Sequence, residues 1–561
     1  LGKIDTMLDQ LFQNFKNLGY NITLDNKQLL LALNIDSETA QLSISLPNDY
    51  PYTFLQVRLL NKQELSFSIP HMLSKDYLCL YDLDSDRHDY KNYLTESEET
   101  LKRAEELLNS SKKGALSSEY QNEFYDLWTA KESLPIFSMI EHYERYSILQ
   151  IMQYKEPFFL LATNKKKGSD SIVNFFLNIK PDLNKDKLTF LKNAIYIPVK
   201  NNKLKKPIRN VSDLLTLIES EQSFDFFLKQ IFESKITMIF LGIFNGDMPS
   251  PTLVALGLPN IFKIKGGIVK KTSYKQILKF SGSKEIIRYG LTDLSQDRLF
   301  SRGGEGIKKD QLSTYIVGCG SLGGFLSKSL CDSGKISEML LQDNQLLKSE
   351  NIGRHFCGIN YLHTNKAKAV SKKINSNYPG MEILSLNHSF IDELLEKKDT
   401  LKNSNYDLLI CSTGDENIEE EIINRLKNGV INKPTIIAWV EPFLIAGHFI
   451  LINSPVNEKT ENYIFDNERN IKISIVESAA SYTKAEAGCQ SHFMPYSGFE
   501  MQFFSQIITD QITNKKILEK EGNYHFTWFG KMSEARKNKI LIKQRWRYRN
   551  DRELIITRID Q

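Results

Sequence analysis

Apolar residues recur at helical spacing near the start of the chain, at Ile4, Met7, Leu8, Leu11, Phe12 and Phe15, and the stretches Gln28 to Leu46 and Phe54 to Leu60 then alternate apolar with polar positions. A helix buried on one side repeats about every 3.6 residues and a half-buried strand every second residue, so this pattern predicts a helix leading into an antiparallel sheet. The run Thr95 to Leu108 carries the apolar and charged positions of an amphipathic helix, closed by the turn-forming Ser110, Ser111 and Gly114. A first domain is expected over 1–114. From 115 to 295, strand-like Phe158 to Ala162 and Ile236 to Ile243 flank a helical stretch from Val211 to Phe232, which predicts an α/β linker domain without a catalytic motif. From Gln311 the order becomes buried strand, glycine turn, helix and strand again, the βαβ signature of a doubly wound Rossmann-like sheet in a third domain over 296–561. Near the end, Ile540 to Ile542 with Trp546 and Tyr548, and Leu554 to Ile556, predict two closing strands.

Composition narrows the class. A chain of 561 residues exceeds what one hydrophobic core serves, and 41% hydrophobic with 25% charged residues is the balance of folded globular proteins, so the fold class is multidomain α+β and α/β. The net charge of +4 is spread along the chain, and the basic segments Asn164 to Ser169 and Asn201 to Lys206 read as solvated loops, so no nucleic-acid surface is expected. No apolar run approaches the roughly 20 residues that span a bilayer, and no signal segment opens the sequence, so no membrane partner and a cytoplasmic location are expected. The six cysteines are scattered without a CxxC pair, which indicates neither a disulfide framework nor a zinc site.

The chemistry gathers in the third domain. Tyr315 to Val317 reads as a strand, and Gly318, Gly320 and Gly323 follow as GxGxxG before a helix. Such glycines permit a tight turn and close backbone approach, and the helix N-terminus offers amide donors to phosphate. Asp343 ends the next strand, where a carboxylate accepts from ribose hydroxyls. A nicotinamide-binding dehydrogenase has the same pattern up to this residue. Asn351, Arg354 and Lys366 then add a polar, cationic set suited to a triphosphate. Asp415, after the strand Leu408 to Cys411 and Ser-Thr-Gly, is a candidate magnesium ligand because hard cations take carboxylate oxygen. Taken singly, each of these charged residues has the ordinary reading of a surface group.

The segments GCGSLGG, LLQDN, ENIGRHF, NKAKAV and STGDEN occur in this order and resemble the adenylating domain of ubiquitin-activating enzymes and their bacterial relatives over about 295–520. The resemblance implies that ATP is bound with Asp343 on the ribose, Asn351, Arg354 and Lys366 on the phosphates, and Asp415 on magnesium. It further implies a homodimer in which Arg298 or Arg302, in DRLFSRGG, reaches the partner's ATP.

Two cysteines stand apart from the rest. Cys489 lies in EAGCQSHFMPY among small and polar residues, with Lys484 and His492 near in sequence, a setting in which a thiol is either reactive or merely structural. AWVEPFLIAGH followed by AGCQSHFMPYS resembles the bacterial activating enzymes that form a thioester, which implies that Cys489 is catalytic. Cys79 sits between leucines, usually the setting of a core thiol. Residues 1–112, however, resemble a ubiquitin-conjugating domain, with a helix, a meander containing LPNDYPYTF, and His71 ahead of Cys79. That makes Cys79 the second expected thioester site, although the family's His-Pro-Asn is His71-Met-Leu here and its oxyanion Asn is absent. Asp82 and Asp84 either orient an incoming amine or are solvated turn residues, and Cys319, Cys331, Cys357 and Cys411 are expected to be structural.

A conjugating domain first, an α/β linker next and an activating domain last is similar to the bacterial fusion proteins of the CBASS anti-phage systems, which make cyclic oligonucleotides. The resemblance implies adenylation of the C-terminal carboxylate of a cyclic-nucleotide-synthesising nucleotidyltransferase. Cys489 and then Cys79 would carry the acyl group to an amine such as a target protein's lysine. The rival readings are activation of a ubiquitin-like protein or a sulfur carrier, a nicotinamide-dependent oxidoreductase, and a non-catalytic ATP-binding scaffold.

Overall fold

A computed structural model describes residues 2–82, 85–116, 128, 136–140, 144–155, 158–164, 187–200, 204, 208–219, 224–244, 250–259, 274–305, 310–378, 380–392, 404–485 and 492–561. The described residues up to Glu305 form one compact unit and those from Asp310 to Gln561 another.

In the first unit, the opening helical period becomes α1 (Gly2–Asn17), and the alternating stretches become β1 (Ile22–Asp25), β2 (Gln28–Ile35), β3 (Glu38–Ser45) and β4 (Gln56–Leu59). The four strands pair antiparallel in sequence order. The amphipathic helix is α2 (Tyr93–Lys112). Leu11 and Phe15 from α1, Leu29, Leu42 and Ile44 from the sheet, and Leu101 and Leu108 from α2 are fully buried in one cluster, as a helix period and a strand period must be when their apolar faces meet.

The middle of the chain supplies a second sheet. Its strands are β5 (Ile136–Met139), β6 (Ser147–Lys155), β7 (Phe158–Thr163) and β8 (Leu188–Lys200), followed by helices α3 (Val211–Ile218) and α4 (Phe224–Glu233). Strands β9 (Met238–Phe244) and β10 (Thr252–Gly257), helix α5 (Tyr274–Phe280), strands β11 (Ile287–Tyr289) and β12 (Leu291–Asp293), and helix α6 (Gln296–Phe300) complete it. The eight strands run β11-β10-β9-β8-β6-β7-β5-β12 in mixed directions, with α3, α4 and α5 closing a core around Ile197, Val211, Phe227 and Leu241. The helical stretch expected over Val211 to Phe232 is thus two helices, the first closed at its start by an Asn210–Asp213 capping box.

The second unit contains β13 (Leu312–Val317), α7 (Ser321–Asp332), β14 (Ile336–Gln342), α8 (Lys366–Asn377), β15 (Glu382–Leu386) and β16 (Leu408–Cys411). It continues with α9 (Glu416–Lys427), β17 (Thr435–Val440), β18 (Ala446–Ile452), α10 (Glu458–Ile464), a short ribbon of β19 (Lys484–Ala485) and β20 (His492–Phe493), α11 (Gly498–Thr513), β21 (Asn523–Phe529), α12 (Met532–Lys537) and β22 (Leu554–Arg558). The main sheet runs β15-β14-β13-β16-β17-β18-β21-β22, with the first five strands parallel and the last three antiparallel. Chain order reverses at β13, which has β14 on one side and β16 on the other. In such sheets the strands' C-terminal ends diverge at this place and leave a crevice. Of the two closing strands expected near the end, only Leu554–Arg558 forms. Ile542 makes an isolated bridge to Val476, and Gln544–Trp546 is a 3-10 turn, because Ile540, Ile542 and Trp546 turn inward onto a cluster with Phe529 and Met532 instead of alternating across a sheet. Among the described residues no helix is long and apolar enough to cross a membrane.

Candidate functional site

The crevice at the strand reversal is a cavity of about 880 Å³ lined by Gly318, Gly320, Asp343, Asn351, Arg354, Lys366 and Asp415. These come from β13, β14, the loop after it, the start of α8 and the start of α9, so the sheet topology gathers residues that are almost a hundred positions apart in sequence.

The three glycines do different work. Gly318 has φ +91°, and a Cβ on it would lie 2.8 Å from the Ser412 carbonyl. Gly323 would place a Cβ 1.9 Å from the Gly318 carbonyl oxygen, so it lets α7 start directly against the turn. Gly320 is the N-cap of α7 with φ −72°, and a Cβ there meets nothing within 4 Å. No side chain caps this helix, which leaves the amides of its first turn as donors beside the cavity. Packing therefore requires glycine at 318 and 323, whereas at 320 the space is open.

Asp343 is held by its own neighbours. Its Oδ2 accepts from the Cys319 amide at 2.8 Å and its Oδ1 from the Gln345 amide at 2.8 Å. Carboxylate oxygens have further lone pairs, so this carboxylate is fixed while still able to accept from a ligand. The Lys366 ammonium donates to Gln345 Oε1 at 2.7 Å, and burial lowers its proton affinity while Asp343 raises it. Arg354 donates to the Met494 carbonyl at 3.0 Å, with its guanidinium 4.9 Å from the Tyr496 ring. Asn351 Oδ1 accepts from the Lys348 amide at 3.1 Å. His355, behind the glycine turn, accepts from the Cys357 amide through Nδ1 at 3.0 Å, so Nε2 carries the proton it donates to the Cys319 carbonyl at 2.8 Å. Burial lowers its pKa and keeps the ring neutral.

The acidic end of the cavity lies at α9. Asp415 caps this helix, its Oδ1 accepting from the Asn417 amide at 3.0 Å, while its Oδ2 makes no hydrogen bond among the described residues. A carboxylate with one oxygen committed and one open is a fitting donor for a hard divalent cation. Glu419, one turn on, also lines the cavity but is only 2% exposed, and its Oε1 has no hydrogen-bond partner among the described residues. Burial and the neighbouring Glu416 push this carboxyl up to about 8. The unfolded chain ionises it near 4.5, so the unfolded state loses its proton first. The resulting stability is complete below about 4.5 and lost as pH rises to about 8. Glu419→Gln should be more stable than the native chain at pH 8 by roughly 2–4 kcal/mol, with no gain at pH 4. Urea denaturation at the two pH values checks this, and a gain of equal size at both would refute it.

Sequence reading missed Glu419, Gln345, His355 and Tyr496. It also passed over Glu441, whose buried carboxylate accepts from the Ile475 and Val476 amides at 2.6 and 3.0 Å and from Ser474 Oγ at 2.7 Å, holding the Ile473–Ser474 wall of the cavity. Only the run AWVEPFL, with a carboxylate amid apolar residues, signalled it.

Cys79 lies in the first unit and is half-buried, with its Sγ 3.9 Å from the Tyr81 carbonyl and its amide donating to the His71 carbonyl at 2.7 Å. His71 holds a left-handed φ of 53°. The loop after Cys79 is clamped. The Tyr81 ring stacks on Phe54 at 3.7 Å with the Arg103 guanidinium 4.5 Å from its centre, and Arg103 donates to the Leu80 carbonyl at 3.2 Å and to Asp86 at 3.1 Å. Asp82 is exposed and its carboxylate accepts from Ser85 at 2.7 Å. Asp84 and Cys489 lie outside the described residues, as does the Arg302 side chain. The ends of the Cys489 segment pair as β19 and β20, Lys484 opposite Phe493 and Ala485 opposite His492. Arg298 lies on α6, its amide donating to the Ser295 cap. Cys319, Cys331, Cys357 and Cys411 are buried thiols, and burial raises each pKa, which suits them to packing and not to nucleophilic work.

Residues 16–137 match Prokaryotic E2 family B. The chain is 27% identical over 188 residues to the ATP-dependent ubiquitin transferase-like protein Cap2 of Pseudomonas aeruginosa (strain BWHPSA011 / Pa011), which covers 32% of each protein. It is 31% identical over 137 residues to the protein of the same name from Enterobacter hormaechei subsp. hoffmannii (strain UCI 50), covering 24% of this chain and 22% of the relative. The matched stretches thus span less than a third of the relatives' own length. Among solved structures, E. coli MccB with ATP is similar with a TM-score of 0.30 and 13% identity, covering 47% of this chain and 65% of that one.

Proposed function

We propose that this chain is an ATP-dependent ligase that activates the C-terminal carboxylate of a partner protein as an adenylate, holds it as a thioester and conjugates it to an amine. The observation that carries this reading is the cavity at the strand reversal, where an open glycine turn, a fixed carboxylate, two cations and a helix-capping carboxylate meet. The matches to Prokaryotic E2 family B and to proteins named ATP-dependent ubiquitin transferase-like support it.

In this reading Asp343 accepts from the ribose hydroxyls, and the Gly320 turn with the α7 amides lies along the phosphates. Lys366, Arg354 and Asn351 orient the phosphates and offset the charge that develops as pyrophosphate leaves. Asp415 would hold magnesium, which supplies Lewis-acid stabilisation of phosphate oxygen. The partner's carboxylate oxygen attacks the α-phosphorus, the bond to the β-phosphate bridging oxygen breaks, and an acyl adenylate forms. The Cys489 thiolate then displaces AMP, and Cys79 takes the acyl group by thioester exchange before a lysine amine on a target displaces it. The partner we assign is a cyclic-nucleotide-synthesising nucleotidyltransferase in anti-phage defence, with a homodimer as the working form and Arg302 reaching across to the second ATP. A ubiquitin-like partner would use the same residues.

Partner-dependent exchange of labelled pyrophosphate into ATP tests the first step. Lys366→Ala should slow it about 10- to 100-fold, because a buried charge-assisted contact to phosphate is lost. Exchange unchanged in that variant, or absent from the native chain with every candidate partner, would refute the reading.

A further inference from the structure

A second cavity of about 280 Å³ lies behind the Ile473–Ser474 wall and is lined by His448, Tyr463, Lys472, His525, Thr527 and Arg545, among others. Its chemistry is one-sided. Two cations, an amide, hydroxyls and two imidazoles face it, and no carboxylate lines it. Among the described residues neither Lys472 nor Arg545 forms a salt bridge. Asp466, whose carboxylate lies near Lys472, is already tied to the Glu468 and Asn470 amides at 2.9 Å each. Arg545 rests over the Trp546 ring at 4.7 Å, and its charge bears on both Tyr463 and His525.

The histidines belong to a hydrogen-bonded chain. Tyr463 OH lies 2.9 Å from His525 Nδ1, His525 Nε2 lies 3.1 Å from His448 Nδ1, and His448 Nε2 lies 2.7 Å from Glu441 Oε1. Glu441 is held as a carboxylate, since His448 and the Ile475 amide keep its pKa below the usual range against the pull of burial. It therefore accepts from His448 Nε2–H, and the remaining ring nitrogens link His448 to His525 and His525 to the tyrosine hydroxyl. All four ring nitrogens lie in these contacts, so the histidines are spoken for and the two cations are the groups left to meet a ligand.

We propose that this second cavity is a binding site for a small oxyanion of the phosphate class, held by Arg545 and Lys472. The volume of about 280 Å³ is ample for a small anion and the water around it. A planar guanidinium and an ammonium match phosphate oxygens. Asn462, Ser474 and Thr527 supply further polar atoms around them. The shared wall and the chain ending at Glu441 connect this site to the nucleotide cavity without making it part of that cavity.

Calorimetry of the full chain with inorganic phosphate, pyrophosphate and AMP tests the proposal, with Arg545→Gln, Lys472→Gln and Lys366→Ala as variants. Both substituted residues of the second cavity are exposed, and retained ATP binding verifies their fold. Phosphate or pyrophosphate binding that survives Lys366→Ala and weakens at least tenfold in Arg545→Gln or Lys472→Gln supports the site. AMP binding with the same dependence makes the ligand a nucleotide monoester, and its exclusion makes it a free oxyanion. Loss of all phosphate binding in Lys366→Ala, no effect of either cation, or no binding to the native chain overturns the proposal. A phosphate-induced shift of the His525 ring resonances in the native chain reads the same site independently of any variant, and unchanged rings despite binding elsewhere also overturn it.

Discussion

Gly323→Ala is expected to destabilise the second unit by roughly 2–4 kcal/mol, whereas Gly320→Ala, three residues away, changes stability by less than about 1 kcal/mol and still weakens ATP binding at least about tenfold. The contrast follows from what each added methyl group meets. At 323 it would sit 1.9 Å from the Gly318 carbonyl oxygen and 2.7 Å from Ser412 Oγ, so both backbone and side chain must move. At 320 it enters open space from a φ that any residue adopts, and that space is the cavity. Urea denaturation and ATP titration of the two variants check this. Equal stability losses would mean that the turn is purely structural, and unchanged ATP binding in Gly320→Ala would place the phosphates elsewhere.

Cys79→Ala is expected to reduce conjugate formation by at least about 10³-fold while leaving pyrophosphate exchange at the native rate. Adenylation precedes both thiols in the proposed relay, and Cys79 lies in the first unit while the cavity proposed to hold ATP lies in the second. Cys489→Ala should stop conjugation as well, but it should also remove the reductant-sensitive adduct that Cys79→Ala retains on the second unit. Intact-mass measurement with ATP, partner and target, with and without reductant, distinguishes them. Conjugation that persists in Cys79→Ala would reduce the first unit to a docking role. The absence of any reductant-sensitive mass in the native chain would leave an adenylating enzyme without a relay.

The elements were largely legible in the sequence because they rest on local periodicity. The helical repeat from Ile4 to Phe15 became α1, the alternation from Gln28 became β2 and β3, and Tyr315 to Val317 with its glycines became β13 and the start of α7. The segment from Ile540 to Tyr548 misled, because residues there are apolar for contact with Phe529 and Met532 and not for a sheet face.

The sequence by itself determined the periods, the turn chemistry and the identity of the charged residues around the glycine turn, since each is a property of neighbours along the chain. Tertiary structure decided the rest. Strand order reverses at β13, and that reversal brings Asp343, Lys366 and Asp415 to one cavity although nothing local connects them. It also buries Glu419 with its Oε1 unpartnered among the described residues and Glu441 with four donors, assigning opposite protonation behaviour to two glutamates that look alike in the sequence. Proton affinity depends on desolvation and on the donors within reach, and both are set by which distant segments fold against the carboxyl group.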